Sequence, residues 1–192
     1  IYIRADGNID PPTAPITTVD NVTYTLTDNI TSSGDGIIIE RDHIIIDGDG
    51  YTLQGSGSGN GFYLFGITNV TIKRVNTEGF NYGVYLDSSS YNTLSGNNIT
   101  NSTDGIIISL SSPGYNVICG NNVTNNIRGI WLSDSSYNSI SENNIRNNTR
   151  GIVSYHSSSD EISGNNITAN SEVSIDLSYS SNDNISGNNV TN

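Results

Sequence analysis

The chain has 192 residues, enough for one domain of ordinary size, with 19 acidic residues against 7 basic ones and a net charge of −12. That balance argues against nucleic acid and against an anionic membrane surface, both of which need clustered Lys and Arg, and no apolar run approaches the ~20 residues of a membrane span. Hydrophobic residues are only 33% while Asn and Ser each make up about 15%, so the composition leaves either disorder or a fold that needs little core per residue.

Residues 1–35 contain strand-like Tyr2-Ile3-Arg4 and Tyr24-Thr25-Leu26 and a turn at Pro11-Pro12. They are predicted to form an N-terminal capping or first-rung segment. The chain has no Met, which reads Ile1 as a processed or trimmed start with any signal peptide gone. Asp6, Asn8 and Asp10 have the alternating spacing of a Ca²⁺ loop, and Asp47-Gly48-Asp49-Gly50 is acidic too. Neither carries the remaining oxygens of a full Ca²⁺ motif, and Asp-Gly pairs equally read as turns.

From residue 36 to 192 the chain repeats. A long rung begins at Gly36, and rungs of about 22 residues begin at Gly61, Gly83, Gly105, Gly129, Gly151 and Ser174. Stacking them aligns apolar columns. Phe62, Val84, Ile106, Ile130, Ile152 and Ile175 fall together, as do Leu64, Leu86, Ile108, Leu132 and Leu177, interrupted by Ser154. Ile72, Leu94, Ile118, Ile140, Ile162 and Ile185 form a third column. Ile99, Val123, Ile145, Ile167 and Val190 form a fourth, headed by Thr77. Each rung thus has three short alternating segments separated by Asn-, Ser- and Gly-rich turns, and none has a helical period. The predicted fold class is all-β, a parallel β-helix of three strands per rung and about seven or eight rungs.

The turns carry columns of their own. Asn97, Asn121, Asn143, Asn165 and Asn188 align, with Val75 in the same place one rung earlier. A column that accepts Val points inward, so these Asn are predicted to form a structural hydrogen-bonded ladder. Tyr91, Tyr115 and Tyr137 align at another turn and are predicted to stack externally.

The repeated GIxL, NTIS and GNNIT segments resemble the right-handed parallel β-helix repeat of the pectate-lyase-like superfold, in the flavour of NosD-like and carbohydrate-binding, sugar-hydrolase (CASH) repeats. The opening IYIRADGNIDPPTAPI, TYTLTDNI and RDHIIIDGDGYTLQGSG resembles secreted archaeal cell-surface proteins with such repeats. The resemblance implies the fold; the same superfold hosts lyases, hydrolases, adhesins and inert scaffolds.

Catalysis on a glycosidic bond needs two carboxylates roughly 5–10 Å apart. On the outward positions of the first strand Asp87 and Asp176 are four rungs and roughly 19 Å apart, too far to share one bond. The Asp-Asp pair and His-Gly signature of polygalacturonase-like enzymes are absent, and no catalytic residue is assigned. NosD-like proteins are associated with copper handling, but soft copper sites want clustered His, Met or Cys, whereas this chain has His43 and His156 far apart along the rod and Cys119 alone. No metal site and no cofactor is assigned, and Cys119 reads as a free thiol.

The outward column Ile38, Tyr63, Tyr85, Ile107, Trp131 and Val153, with Phe65 and Tyr155 beside it, is apolar where a polar rod should be polar. Such a stripe reads as a binding or interface face, either stacking on sugar rings or covered by a protein partner or a loop of the same chain. Ten N-x-Ser/Thr sequons, at Asn21, Asn29, Asn69, Asn98, Asn101, Asn122, Asn147, Asn166, Asn184 and Asn189, are glycosylation candidates. Asn98, Asn122, Asn166 and Asn189 share one column flanking an inward residue and are expected to be accessible. The open strand edges of a solenoid invite self-association through its ends, which if heterologous propagates as a filament. Together these features suggest a non-catalytic extracellular structural protein at the cell surface, self-assembling head to tail and N-glycosylated. The alternative is a carbohydrate-binding or carbohydrate-processing module.

Overall fold

The computed structural model describes residues 1–191. A typical turn of the chain runs through one six-residue strand, Tyr82–Asp87, and two three-residue strands, Thr93–Ser95 and Asn98–Thr100. Each strand pairs in parallel with its equivalents one repeat earlier and later, so Val84 lies between Phe62 and Ile106 and Ile99 between Thr77 and Val123. The result is three sheets of nine, nine and eight strands, with no helix among the described residues. Tyr2–Ile3, Thr23–Leu26 and Ile30–Thr31 already pair in parallel with the next rung, so the first 35 residues supply a rung of their own. Two further strands, Ile9–Asp10 and Ile16–Thr17, run antiparallel and close the N-terminal edges of the long-stranded sheet and of the second sheet.

Period-two alternation sends one or two side chains per strand inward, and these are mostly Ile, Leu or Val, whose branching suits a pleated surface. Ile72, Leu94, Ile118, Ile140 and Ile162 are wholly buried, as are Leu53, Thr77, Ile99, Val123, Ile145 and Ile167. Each buried aliphatic side chain stabilises by about 1.5–3 kcal/mol, so a narrow tube suffices although the chain is polar overall. The rung-opening glycines are required by space. A Cβ on Gly83 would stand 2.5 Å from the Gly105 carbonyl oxygen, and one on Gly105 would stand 2.6 Å from that of Gly129.

The corners of the tube are lined by amides. Asn97 donates from Nδ2 to the Ile72 carbonyl (2.9 Å), while its backbone N–H and its Nδ2 both donate to Asn121 Oδ1 (3.0 Å each). Asn121, Asn143 and Asn165 hand on the same contact, ending at Asn188. Two more ladders run parallel to it. Val70, Asn92, Asn116, Asn138 and Asp160 form one, and Ser102, Asn126, Asn148 and Asn170 form another. A serine series includes Ser89 and Ser111, whose hydroxyls accept from the backbone one rung earlier, as does that of Ser157. Buried turn N–H groups, which would otherwise lose their water, are paired by these side chains.

Asp160 departs from its column. It is 1% exposed; its Oδ1 accepts from Asn138 N–H (2.7 Å) and Nδ2 (3.1 Å), and its Oδ2 has no partner. Burial, reinforced by the Asp183 carboxylate, pushes its pKa up to about 6.

Candidate ligand-binding face

The outer face of the long-stranded sheet is the chemically differentiated surface. Register places Tyr2, Ile38, Tyr63, Tyr85, Ile107, Trp131, Val153 and Asp176 in one outward column. The expected continuous exposed stripe is interrupted. Ile107 is only 4% exposed and Val153 only 7%, although both point away from the core. At about 4.8 Å between strands, the larger side chains around them close over the shorter aliphatic ones. Phe65 and Tyr155, in the neighbouring column, are 64% and 40% exposed.

The C-terminal half of this face forms a concavity of about 320 Å³ lined by Arg128, Trp131, Arg150, Val153, Tyr155, Asp176 and Ser178. Asp104 and Arg128 sit opposite each other on adjacent strands. Arg128 grips fully buried Asp104 with two hydrogen bonds, Nη2 to Oδ2 at 2.8 Å and Nε to Oδ1. That pairing lays the guanidinium over Trp131, 3.7 Å from the ring centroid. One strand later, Arg150 donates to Glu172 (3.1 Å) and lies 4.0 Å from Asp176. Asp176 in turn accepts from Ser178 (2.8 Å). The concavity therefore offers two cations, one carboxylate, an indole and a phenol within three rungs, with Asp104 and Glu172 holding the two arginines from its margins. Larger, more open hollows lie elsewhere, but the one at the turn around Asn101 and Asn125 is lined by no ionisable side chain.

The N-terminal half is aromatic. Tyr63 and Tyr85 have ring centroids 5.4 Å apart, and Tyr82 meets Tyr85 edge-on at 5.3 Å. The Tyr85 hydroxyl is 3.1 Å from Ser109 Oγ. Burial, with the neighbouring Asp87 carboxylate contributing, raises the pKa of both Tyr63 and Tyr85. At the far end Arg4 lies 3.9 Å over the Tyr2 ring, held by Asp10 and Glu40.

Other sequence candidates fall elsewhere. Tyr91, Tyr115 and Tyr137 stack at a turn, centroids 5.2 and 5.4 Å apart, each about half exposed. In the sequon column, Asn122 donates from Nδ2 to Asn98 Oδ1 (2.6 Å), Asn144 to Asn122, Asn166 to Asn144 and Asn189 to Asn166. Asn98 and Asn122 are part-buried and Asn166 and Asn189 exposed, and three of the four sequon amides donate within this outer ladder. Asn21, Asn69, Asn101 and Asn147 instead sit exposed at turns with positive φ, which Asn tolerates better than most residues. Asn29 is exposed with its Oδ1 accepting from Thr52 N–H (2.8 Å), and Asn184 is exposed near the last rung.

The acidic segments considered for Ca²⁺ are occupied by other partners. Asp6 accepts from Asn8 backbone and side chain, Asp10 pairs with Arg4, and Asp47 and Asp49 both pair with Arg74. Among the described residues no group of three or more His, Cys, Asp or Glu could hold a metal ion. His43 and His156 are five rungs apart, roughly 24 Å along the rod. Cys119 is a half-buried free thiol whose pKa is raised, chiefly by burial. Sequence reading missed the Arg128–Asp104–Trp131 assembly. Its signal was the column Tyr82, Asp104, Arg128 and Arg150, three residues before the Tyr85 column, which sets Asp104 opposite Arg128 on the next strand.

Against known proteins, the family profile described as "Periplasmic copper-binding protein (NosD)" matches residues 11–192. Among solved structures, a double mutant of the periplasmic alginate epimerase AlgG is similar with a TM-score of 0.64 and 22% identity, covering 83% of this chain and 46% of that one. The enzymatically active domain of tailspike protein 2 from bacteriophage CBA120 gives a TM-score of 0.65 at 14% identity, covering 85% of this chain and 35% of that one. The chain thus spans less than half the length of either, and at these identities the likeness is one of fold, the right-handed parallel β-helix. No curated protein matches the chain.

Proposed function

We propose that this chain, which belongs to the NosD family, is an extracytoplasmic β-helix module that binds a neutral glycan in the concavity around Trp131. The family is described as periplasmic, and no helix here is long and apolar enough to cross a membrane. Cell-surface display is the finer placement we propose.

The observation that carries the reading is the composition of the concavity. Trp131, one face of which Arg128 covers, and Tyr155, one face of which stacks on His156 (4.2 Å), line it with aromatic surface for sugar rings, and Arg150, Asp176 and Ser178 supply donors and acceptors for hydroxyl groups. Arg128 is already paired with Asp104 and Arg150 with Glu172 and Asp176, and the whole chain carries −12, which favours an uncharged polymer over a polyanion. This engagement of the carboxylates supports binding without turnover, although the similar solved structures are an alginate epimerase and an enzymatically active tailspike domain. The donor set does not fit the copper ion that the family description implies, since no Met is present and the two His stand far apart. No step is therefore derived through copper.

Calorimetric titration of a panel of neutral oligosaccharides tests the proposal. Trp131→Ala is expected to weaken binding about threefold to tenfold, the scale of one aromatic stacking contact. Absence of binding across the panel, or an unchanged affinity in the variant, refutes it.

A second reading is a structural, filament-forming role in which copies stack through open sheet edges. The antiparallel strands over two of the three N-terminal sheet edges leave only the edge at Ile30–Thr31 open for such a contact without displacement.

A further inference from the structure

The outer column of the long-stranded sheet uses one arrangement twice. At Tyr2, Arg4 lies over the ring and is held by the carboxylates of Asp10 and Glu40. At Trp131, Arg128 lies over the ring and is held by Asp104. Each place thus combines an aromatic face, a carboxylate and a guanidinium that satisfies both. Between them lies a third place with two of the three components. Tyr63, Tyr82 and Tyr85 form the aromatic surface, and Asp87 follows Tyr85 by two residues on the same strand. Here the guanidinium is missing. Among the described residues no ion pair reaches Asp87, whose hydrogen-bonding partners are neutral hydroxyls, those of Ser88 (3.1 Å) and of the neighbouring Tyr63 and Tyr85.

We infer that the tyrosine patch around Asp87 is a docking site for an arginine side chain of a partner polypeptide. The planar guanidinium lies against a ring face and donates to Asp87, as Arg128 does to Trp131 and Asp104. A cation over an aromatic face gains from the ring quadrupole, and a carboxylate within reach adds a charge-assisted hydrogen bond. Arginine suits the site better than lysine because a flat, weakly hydrated fork can stack and donate at once. The net charge of −12 draws a basic partner toward the face, and half-exposed Tyr63 and Tyr85 with exposed Phe65 leave the patch open to it. The site is distinct from the glycan concavity, which begins two strands further along at Trp131.

The test uses the isotope-labelled full chain titrated with a blocked Gly-Arg-Gly peptide and followed by amide chemical shifts. Saturable shifts are expected along Tyr82–Asp87 and at Tyr63, with weaker binding of the matching Gly-Lys-Gly peptide. Asp87→Asn should weaken arginine-peptide binding about threefold to fivefold, the scale of one exposed cation–π contact and ion pair. Asp28→Asn, which removes an equal charge from a different sheet junction, should leave binding unchanged. Equal weakening in both variants means attraction to diffuse charge and overturns the proposal. So does a patch that shifts with neutral oligosaccharides and not with the arginine peptide.

Discussion

Replacing Asp160 by Asn should make the protein more stable, by an amount set by pH. The column containing Asp160 is otherwise amide through its buried length, and Asn92 and Asn116 each donate from Nδ2 to a backbone carbonyl of the preceding rung. Asp160 presents an oxygen where they present an N–H, and its Oδ2 is buried without a partner. Burial of that unpartnered oxygen, with the Asp183 carboxylate nearby, favours the neutral, protonated form in the folded chain. The carboxyl pKa rises from 3.8 to about 6. Below the unfolded value the group is neutral in both states, and the ladder carries no penalty. As pH climbs through about 6 the folded state must ionise a buried group, and stability is lost over that window. A shift of about two units corresponds to about 3 kcal/mol in the limit above pH 7. Chemical denaturation of both proteins between pH 4 and pH 8 measures it. Carboxylates common to the two proteins cancel in the difference. Asp160→Asn should exceed the parent by about 3 kcal/mol at pH 8, with that part of the advantage gone near pH 4. A difference that does not change with pH, or an Asn variant less stable at pH 8, would refute the assignment of the proton to Asp160.

Two further expectations concern the surface. If the chain is N-glycosylated in its native setting, glycopeptide mapping should find hexose at the exposed turn sequons Asn69, Asn101 and Asn147. The amides of Asn122 and Asn166, committed to the outer ladder, should be unmodified, and intact mass with no added hexose anywhere would remove the glycoprotein reading. If copies stack through their open sheet edges, sedimentation should show concentration-dependent association. A monodisperse monomer at high concentration would count against self-assembly.

The fold could be read from the sequence because each inward position repeats its chemistry once per rung. Ile72, Leu94, Ile118 and Ile140 recur at the repeat interval and are all buried for the same reason. One amide ladder was visible for a subtler reason: Val75 heads the Asn97 column, and an apolar head means an inward column. The same signal was present for the other two ladders and went unused. Val70 heads the column of Asn92, and Phe80 stands one repeat before Ser102 at the head of the third. Both are nearly inaccessible, at 1% and 2% exposure. The outer face was harder to read. Alternation shows that Ile107 and Val153 point outward, but their exposure depends on where long neighbouring side chains lie. Those conformations depend in turn on cross-strand partners such as Asp104 for Arg128, which no single-column reading includes.

The division between legible and illegible positions follows from what each surface must satisfy. An inward residue meets the same tube on every rung, so packing and amide pairing hold its column to one chemistry. An outward residue meets only its flanking columns and the solvent. Along one outer column the chain passes from Tyr2 through Tyr63, Tyr85 and Trp131 to Asp176 without repeating a pattern. The core does not follow that variation, because the inward neighbours Phe62, Val84, Ile106, Ile130 and Ile152 are apolar and buried throughout. A face that varies while the scaffold below repeats is free to be fitted to something outside the chain. This argument bears equally on the concavity at Trp131 and on the tyrosine patch at Asp87. A repeating scaffold fixes their spacing to about one strand interval per step. A ligand that bridges both must therefore span the two strands between Tyr85 and Trp131, roughly 10 Å, and cross the covered side chain of Ile107 on the way.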